Sequence, residues 1–185
     1  MHKKENQRIS LTKRMLQEGL LTLLETKDLD KISVTELCRV SGINRATFYN
    51  HYSSPQDLLT DLESRLICEL EQISGVPTTP EEVATRLEKI CVYLQEHARY
   101  VIILNRCHAD MDLVDVFNNL NRGFQDSDLR LKKKTSMDAD SAHLVSTFLY
   151  TGCYHLIREW LTKEIQKSPK EISELILRII SEELL

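Results

Sequence analysis

Three of the four prolines follow a Ser or Thr and have an acid close behind: Ser54-Pro55-Gln56-Asp57, Thr79-Pro80-Glu81-Glu82 and Ser168-Pro169-Lys170-Glu171. Each quartet is a helix start. The hydroxyl caps a free N–H, and proline takes the first helical position, where its missing N–H is no loss. The acid near the third position faces the positive end of the helix dipole. A chain that places its prolines at helix starts keeps them out of helix interiors. Between these marks apolar residues recur at helical spacing, and the β-branched and aromatic residues form no short alternating runs, so a β architecture has no support. The expected fold class is all-α, with about nine helices.

The run from Ile32 to Tyr52 reads as two short helices joined by a tight turn. Ser33 and Glu36 have capping-box spacing, Leu37 and Val40 form the buried side, and Cys38 is small where two helices must approach. Gly42 supplies a left-handed turn residue at least cost. After Ile43 a second helix begins at Asn44, with Phe48 and Tyr52 facing inward. A small residue, Gly four later, then apolar residues one and five further on make the helix-turn-helix pattern. The second helix then presents Asn44, Arg45, Thr47, Tyr49, Asn50 and His51 outward. These are hydrogen-bonding groups with one sure cation, on an element narrow enough for a major groove. An ordinary helical hairpin with Gly42 as its C-cap has the same spacing. The charge pattern favours the DNA reading. No acid lies between Asn44 and Tyr52, in a chain of net charge −4. Residues 1–52 hold nine Lys/Arg against six Asp/Glu, a balance of +3, and the remainder carries −7. A basic head on an acidic body suits a protein whose head alone meets phosphate.

These residues resemble the DNA-binding region of the TetR/AcrR family of bacterial transcriptional regulators. The match is carried by Val34-Thr35-Glu36-Leu37, Ser41-Gly42-Ile43 and Ala46-Thr47-Phe48-Tyr49-Asn50-His51-Tyr52, and it continues through Ser53-Ser54-Pro55-Gln56-Asp57-Leu58-Leu59. It covers the first third of the chain. The resemblance implies a TetR-like fold: a three-helix DNA-binding domain over residues 1–53 and a helical effector-binding and dimerisation domain over 54–185. It implies three partners, namely double-stranded operator DNA, a second copy of the chain and a small-molecule effector, and a repressor as the sign of regulation. Asn44 and Arg45 are expected at base edges, and Thr47 and Tyr49 at phosphate or a thymine methyl. Lys13, Thr35 and His51 are expected at phosphate, with Asn50 on the same face. Lys3, Lys4, Arg8, Lys13 and Arg14 cluster at the start of a helix over 6–26, which in this family lies along the DNA backbone. The chain departs from the family twice. The loop Thr26–Lys31 lacks the usual Gly. Ser54, Pro55 and Gln56 stand where many relatives carry a phosphate-binding Lys, so backbone N–H groups at that helix start must supply the contact or it is absent.

Beyond the head, helices are expected over 55–74, 81–97, 98–107, 112–134, 138–163 and 169–183, with a connector over 74–78. The cations Arg130 to Lys134 read as a solvated helix end. The resemblance implies an effector pocket walled by Leu66, Leu87, Tyr93, Ile103, Phe117, Leu120, Phe124, Phe148 and Tyr154, although each of them taken singly reads first as plain core. The last two helices are apolar on more than one stripe and so need a second partner. A four-helix dimer interface is expected from Phe148, Gly152, His155, Trp160, Ile172, Leu175, Ile176 and Ile179. Gly152 in mid-helix costs about 1 kcal/mol against Ala, and close approach of a partner helix gives it a purpose. The alternative keeps the fold but makes the body a docking module for a partner protein.

The remaining chemistry is sparse. Cys38, Cys68, Cys91, Cys107 and Cys153 include no Cys-x-x-Cys pair and read as reduced, buried residues. His and Cys lack metal-ligand spacing, and no nucleophile elbow or phosphate loop is present, so neither a metal, a cofactor nor an enzyme is expected. Residues 1–14 are polar and basic and no apolar run approaches the length of a membrane span, which points to a cytoplasmic protein without membrane association.

Overall fold

Capping chemistry fixes the helix boundaries. In the computed structural model, which describes residues 2–74, 80–107, 138–163 and 165–184, the helices are α1 (His2–Leu24), α2 (Val34–Ser41), α3 (Arg45–Tyr49), α4 (Pro55–Ser74), α5 (Pro80–Glu96), α6 (Ala98–Cys107), α7 (Ala139–Thr162) and α8 (Pro169–Leu184). A short 3-10 turn, Leu29–Lys31, lies in the α1–α2 loop. The described chain is all-α. The helix expected over 112–134, with Phe117, Leu120 and Phe124, lies outside the described residues, as does most of the 74–78 connector.

Pro55, Pro80 and Pro169 each open a helix. Ser54 Oγ accepts from the Asp57 N–H at 3.1 Å. Ser168 and Glu171 form a reciprocal box: the Glu171 N–H donates to Ser168 Oγ at 3.3 Å, and the Ser168 N–H donates back to Glu171 Oε2 at 2.8 Å. The expected box at Ser33 is only half made. Ser33 Oγ accepts from the Glu36 N–H at 3.2 Å, but the Glu36 carboxylate turns instead to Lys27 Nζ at 2.6 Å, tying α2 to the loop before it.

The chain divides into two compact units, Met1–Leu66 and Ile67–Leu185. In the first, α1 packs on α2 and α2 on α3. Its core is Leu16, Leu20, Leu24, Leu37, Phe48, Leu58 and Leu59. The apolar residues Ile9, Leu11 and Met15 of α1 are exposed. The buried face of that helix starts at Leu16. In the second unit α8 packs chiefly on α5, and α6 on α7. Cys91, Leu94, Ile103, Ile157, Trp160, Ile172 and Ile176 are buried there. Among the described residues, no helix is long and apolar enough to cross a membrane.

Candidate nucleic-acid interface

Two glycines allow α2 and α3 to sit where they do. Gly42 adopts φ 67° and ψ 21°, the left-handed conformation that closes α2, and the Ile43 N–H returns to Cys38 O at 3.0 Å. Gly19, on α1, lets α2 come close: a Cβ there would lie 2.8 Å from Ser41 Cβ. Sequence reasoning missed Gly19, because a glycine inside a helical pattern does not name its neighbour.

α3 spans only five residues, and each expected contact on it has a definite setting. Asn44 is its N-cap, with Oδ1 accepting from the Thr47 N–H at 2.8 Å. Asn44, expected at a base edge, is thus an exposed residue whose side-chain oxygen also serves as the helix cap. Arg45 is exposed on the first turn and makes no hydrogen bond or ion pair among the described residues. Its guanidinium lies close enough to α2 to oppose the upward push that burial gives the Cys38 thiol. Thr47 is half-buried. Tyr49 is 51% exposed, its ring edge-on to Phe48 with centroids 5.4 Å apart. Asn50 is the exposed C-cap, half-buried His51 follows, and Thr35 is exposed on the first turn of α2. Arg45, Tyr49, Asn50 and Thr35 are thus available at the surface.

Lys13 has a neighbour on another helix. Its Nζ lies 3.6 Å from Asp61 Oδ2 and 5.2 Å from the centroid of the Tyr52 ring. The cation expected at phosphate thus has a partly exposed carboxylate neighbour, Asp61 on α4, which the sequence did not show. Tyr52 Oη donates to the same Asp61 oxygen at 2.7 Å. Burial first, and then this bond, push the Tyr52 phenol well above the usual tyrosine range. Nearby, the Ser53 N–H and hydroxyl donate to Asp57 Oδ2 at 2.7 and 3.0 Å, and hold the Asp57 carboxyl below its usual range.

In the second unit the expected pocket and dimer residues divide by exposure. Leu87 and Tyr154 are half-buried and Ile103 is buried, while Leu66 belongs to the first unit. Tyr93 lines an open cleft of about 490 Å³ with Ile73, Thr85, Glu88, Lys89, Val92 and Glu96. It donates to Glu69 Oε2 at 2.7 Å and stacks on His97 with centroids 4.2 Å apart. Phe148, expected both at the pocket wall and at the interface, is 72% exposed. Leu144, 68% exposed, precedes it by one turn, and exposed Gly152 and His155 continue the stripe along α7. Ile179 on α8 is exposed and Leu175 half-buried. Trp160, Ile172 and Ile176 correct the interface expectation. They are buried in the chain's own core, Trp160 with its Nε1 donating to Lys167 O at 2.9 Å.

Among the described residues, no group of three His, Cys, Asp or Glu side chains is placed to hold a metal. The TetR_C_8 family model, described as "Transcriptional regulator C-terminal region", matches residues 81–182. The Uncharacterized HTH-type transcriptional regulator YxbF of Bacillus subtilis (strain 168) is 28% identical over 156 residues, covering 80% of this chain. This chain spans 41% of that relative's length. Among solved structures, a TetR transcriptional regulator from Streptococcus agalactiae 2603V superposes with a TM-score of 0.67 at 21% identity, covering 97% of this chain and 99% of that one. The dihydroxyacetone kinase operon activator DhaS superposes with a TM-score of 0.63 at 15% identity, covering 94% and 96%. At these identities the two structures establish the fold alone.

Proposed function

We propose an operator-binding role for this protein on one premise: the chain belongs to the TetR/AcrR family of transcriptional regulators. It acts as a homodimer, each head laying α3 in a major groove of a palindromic site. The observation that carries this reading is the outward face of α3 and α2. Arg45, Tyr49, Asn50 and Thr35 are all exposed there, with no acid from Asn44 to Tyr52 and with Arg45 unpaired among the described residues. Arg45 donates to a guanine edge, worth about 1–3 kcal/mol of discrimination. Tyr49, Asn50, Thr35 and His51 serve phosphate, and Thr47 stiffens the turn that presents them.

Dimerisation uses the exposed stripe of α7, Leu144, Phe148, Gly152 and His155, with Ile179 and Leu175 of α8 beside it. Two adjacent large apolar side chains this exposed need a cover. A small-molecule effector in the body lowers DNA affinity, and α4 is one continuous helix from Pro55 to Ser74, passing from one compact unit into the other. By linkage, DNA weakens effector binding by the same factor. The protein represses transcription in this reading. The fold relative DhaS is named an operon activator, so a reporter fused to the bound site must read the sign.

The test is selection of bound duplexes from random DNA with the full chain, followed by gel shifts of Arg45→Ala and Tyr49→Ala on the selected sequence. A palindrome is expected, with half-sites about one helical turn apart. Each substitution should cost at least tenfold in affinity, about 1.4 kcal/mol. Recovery of no common sequence, or unchanged affinity for both variants, overturns the assignment.

A further inference from the structure

A polar ladder joins α1 to α4 inside the head. Lys13 and Gln17 stand one turn apart on α1, and Asp61 and Arg65 one turn apart on α4. Lys13 Nζ lies 3.6 Å from Asp61 Oδ2, and Arg65 Nη1 donates to Gln17 Oε1 at 3.1 Å. Tyr52, which closes the helix-turn-helix, donates its phenol to that same Asp61 oxygen at 2.7 Å and offers its ring to Lys13 at 5.2 Å. One carboxylate oxygen thus holds two groups from two different elements.

The two holds differ in kind. The Tyr52 bond is short and its ring is buried. The Lys13 pair is longer than a hydrogen bond, and its side chains are 36% and 31% exposed. Ion pairs this open to solvent are weak and screened by salt. Lys13 nevertheless has a counter-charge within the head, and a cation paired there is less available to displace a counterion from DNA.

We propose that Asp61 sets the DNA affinity of the head, acting as an internal counter-ion that keeps Lys13 from neutralising a phosphate while it positions Tyr52. The inference rests on the DNA-binding reading above. The two roles separate because asparagine at 61 keeps an acceptor for Tyr52 but loses the charge that holds Lys13. In Asp61→Asn the freed Lys13 takes up a phosphate for each head engaged. The slope of log affinity against log salt then steepens by about 0.9 per head. Between about 50 and 200 mM salt, that change alters the affinity ratio of variant to parent by roughly 3.5-fold per head.

The probe is a fluorescein-labelled mixed-sequence duplex of about 30 base pairs, titrated with the full chain by anisotropy across that salt range. The parent and Lys13→Met are expected to share one slope. Asp61→Asn should be steeper and tighter at low salt, and the double variant should return to the parent slope. A parent that binds no duplex at any salt overturns the DNA-binding reading and this inference with it. A parent that binds, with Asp61→Asn unchanged in slope, overturns the inference alone. So does a Lys13→Met variant whose slope is flatter by about 0.9, because Lys13 would then already be on phosphate. If Asp61→Asn loses its helical circular dichroism, Lys13→Met still tests the inference, because a slope flatter by about 0.9 overturns it. A merely structural role for Asp61 would lower stability and leave the salt slope where it was.

Discussion

Gly19→Ala and Gly152→Ala make the same chemical change in mid-helix, and the structure gives them opposite signs. In an exposed helix interior, alanine is favoured over glycine by about 0.8–1.0 kcal/mol. A Cβ at Gly152 meets nothing within 4 Å, so a single chain keeps that whole gain. A Cβ at Gly19 would lie 2.8 Å from Ser41 Cβ and 3.2 Å from both Cα and N of Ser41. Two of those atoms are the backbone of α2, and the Ser41 hydroxyl is itself fixed on Leu37 O at 2.6 Å, so α2 must move away from α1. Overpacking of this kind costs about 1–3 kcal/mol, and the helix gain offsets about 1, leaving a net loss of up to about 2 kcal/mol. In a unit the size of Met1–Leu66, each kcal/mol moves the midpoint by about 4–8 °C. Thermal melts followed by circular dichroism at two protein concentrations should show Gly19→Ala melting lower at both. Gly152→Ala should melt higher when dilute, and lose that advantage when concentrated, because the new methyl stands where a second α7 would approach. A stabilising Gly19→Ala would refute the close α1–α2 approach. A concentration-independent gain at Gly152 would remove that glycine from the dimer face.

Phe148→Lys should turn a dimer into a monomer by sedimentation velocity, while Ile176→Ala lowers the melting temperature by an amount typical of a cavity, about 2–5 kcal/mol in stability, without a concentration-dependent change of state. Asn44→Ala should lose about 1 kcal/mol from the helix cap, and if capping is its whole role Asn44→Ser should keep both stability and DNA binding; a large loss of affinity in a stable Asn44→Ser would assign the residue to base reading as well. Asp57, Asp138 and Glu171 all have carboxyl groups held below their usual range, by hydrogen bonds from Ser53, Ser141 and Ser168 respectively. Their stabilisation is therefore complete above about pH 4.5 and is lost as pH falls through the lowered folded values, so melting temperature should drop with acid less steeply in Glu171→Gln than in the parent. Burial pushes the Cys91 thiol up to about 12 and the Cys153 thiol to about 11, so a thiol-specific reagent at pH 8 should modify exposed Cys68 in the folded protein and reach Cys91 only on unfolding.

What could be read from the sequence was what is local. The Ser/Thr-Pro quartets name helix starts because the hydroxyl, the proline ring and the acid act within four residues of one another. Gly42 marks the turn because only its φ of 67° has to be met. Burial on one helical face was equally plain at Leu16, Leu20, Leu37 and Phe48. The partner of a side chain was not readable. Periodicity says that Trp160, Ile172 and Ile176 are covered, but other helices of the same chain and a helix from a second copy satisfy it equally. Lys13 reads as a free cation until Asp61 faces it, and the matching rung, Gln17 with Arg65, joins residues 48 positions apart. Asn44 fits both a cap and a base reader, since both uses call for an exposed amide at that position.

The shortness of α3 ties these points together. A five-residue helix cannot hold itself in water, since nucleation alone consumes most of its hydrogen bonds. Its orientation is set entirely by what surrounds it: Gly42 before it, the Asn44 cap at its start, Phe48 in the core beneath it and Tyr52 bound to Asp61 after it. In the proposed operator-binding role, DNA recognition by this head is a property of its packing as much as of its exposed side chains, and loss-of-binding variants must fall into two classes. Arg45→Ala removes a contact from an unchanged surface and should leave the melting temperature where it was. Tyr52→Phe and Asn44→Ala loosen the frame and should lower affinity and stability together, by about 1 kcal/mol in stability each. Affinity measured beside melting temperature separates the two classes. If Arg45→Ala destabilised the head as much as Tyr52→Phe, Arg45 would belong to the frame and the face it was assigned to would need another reader.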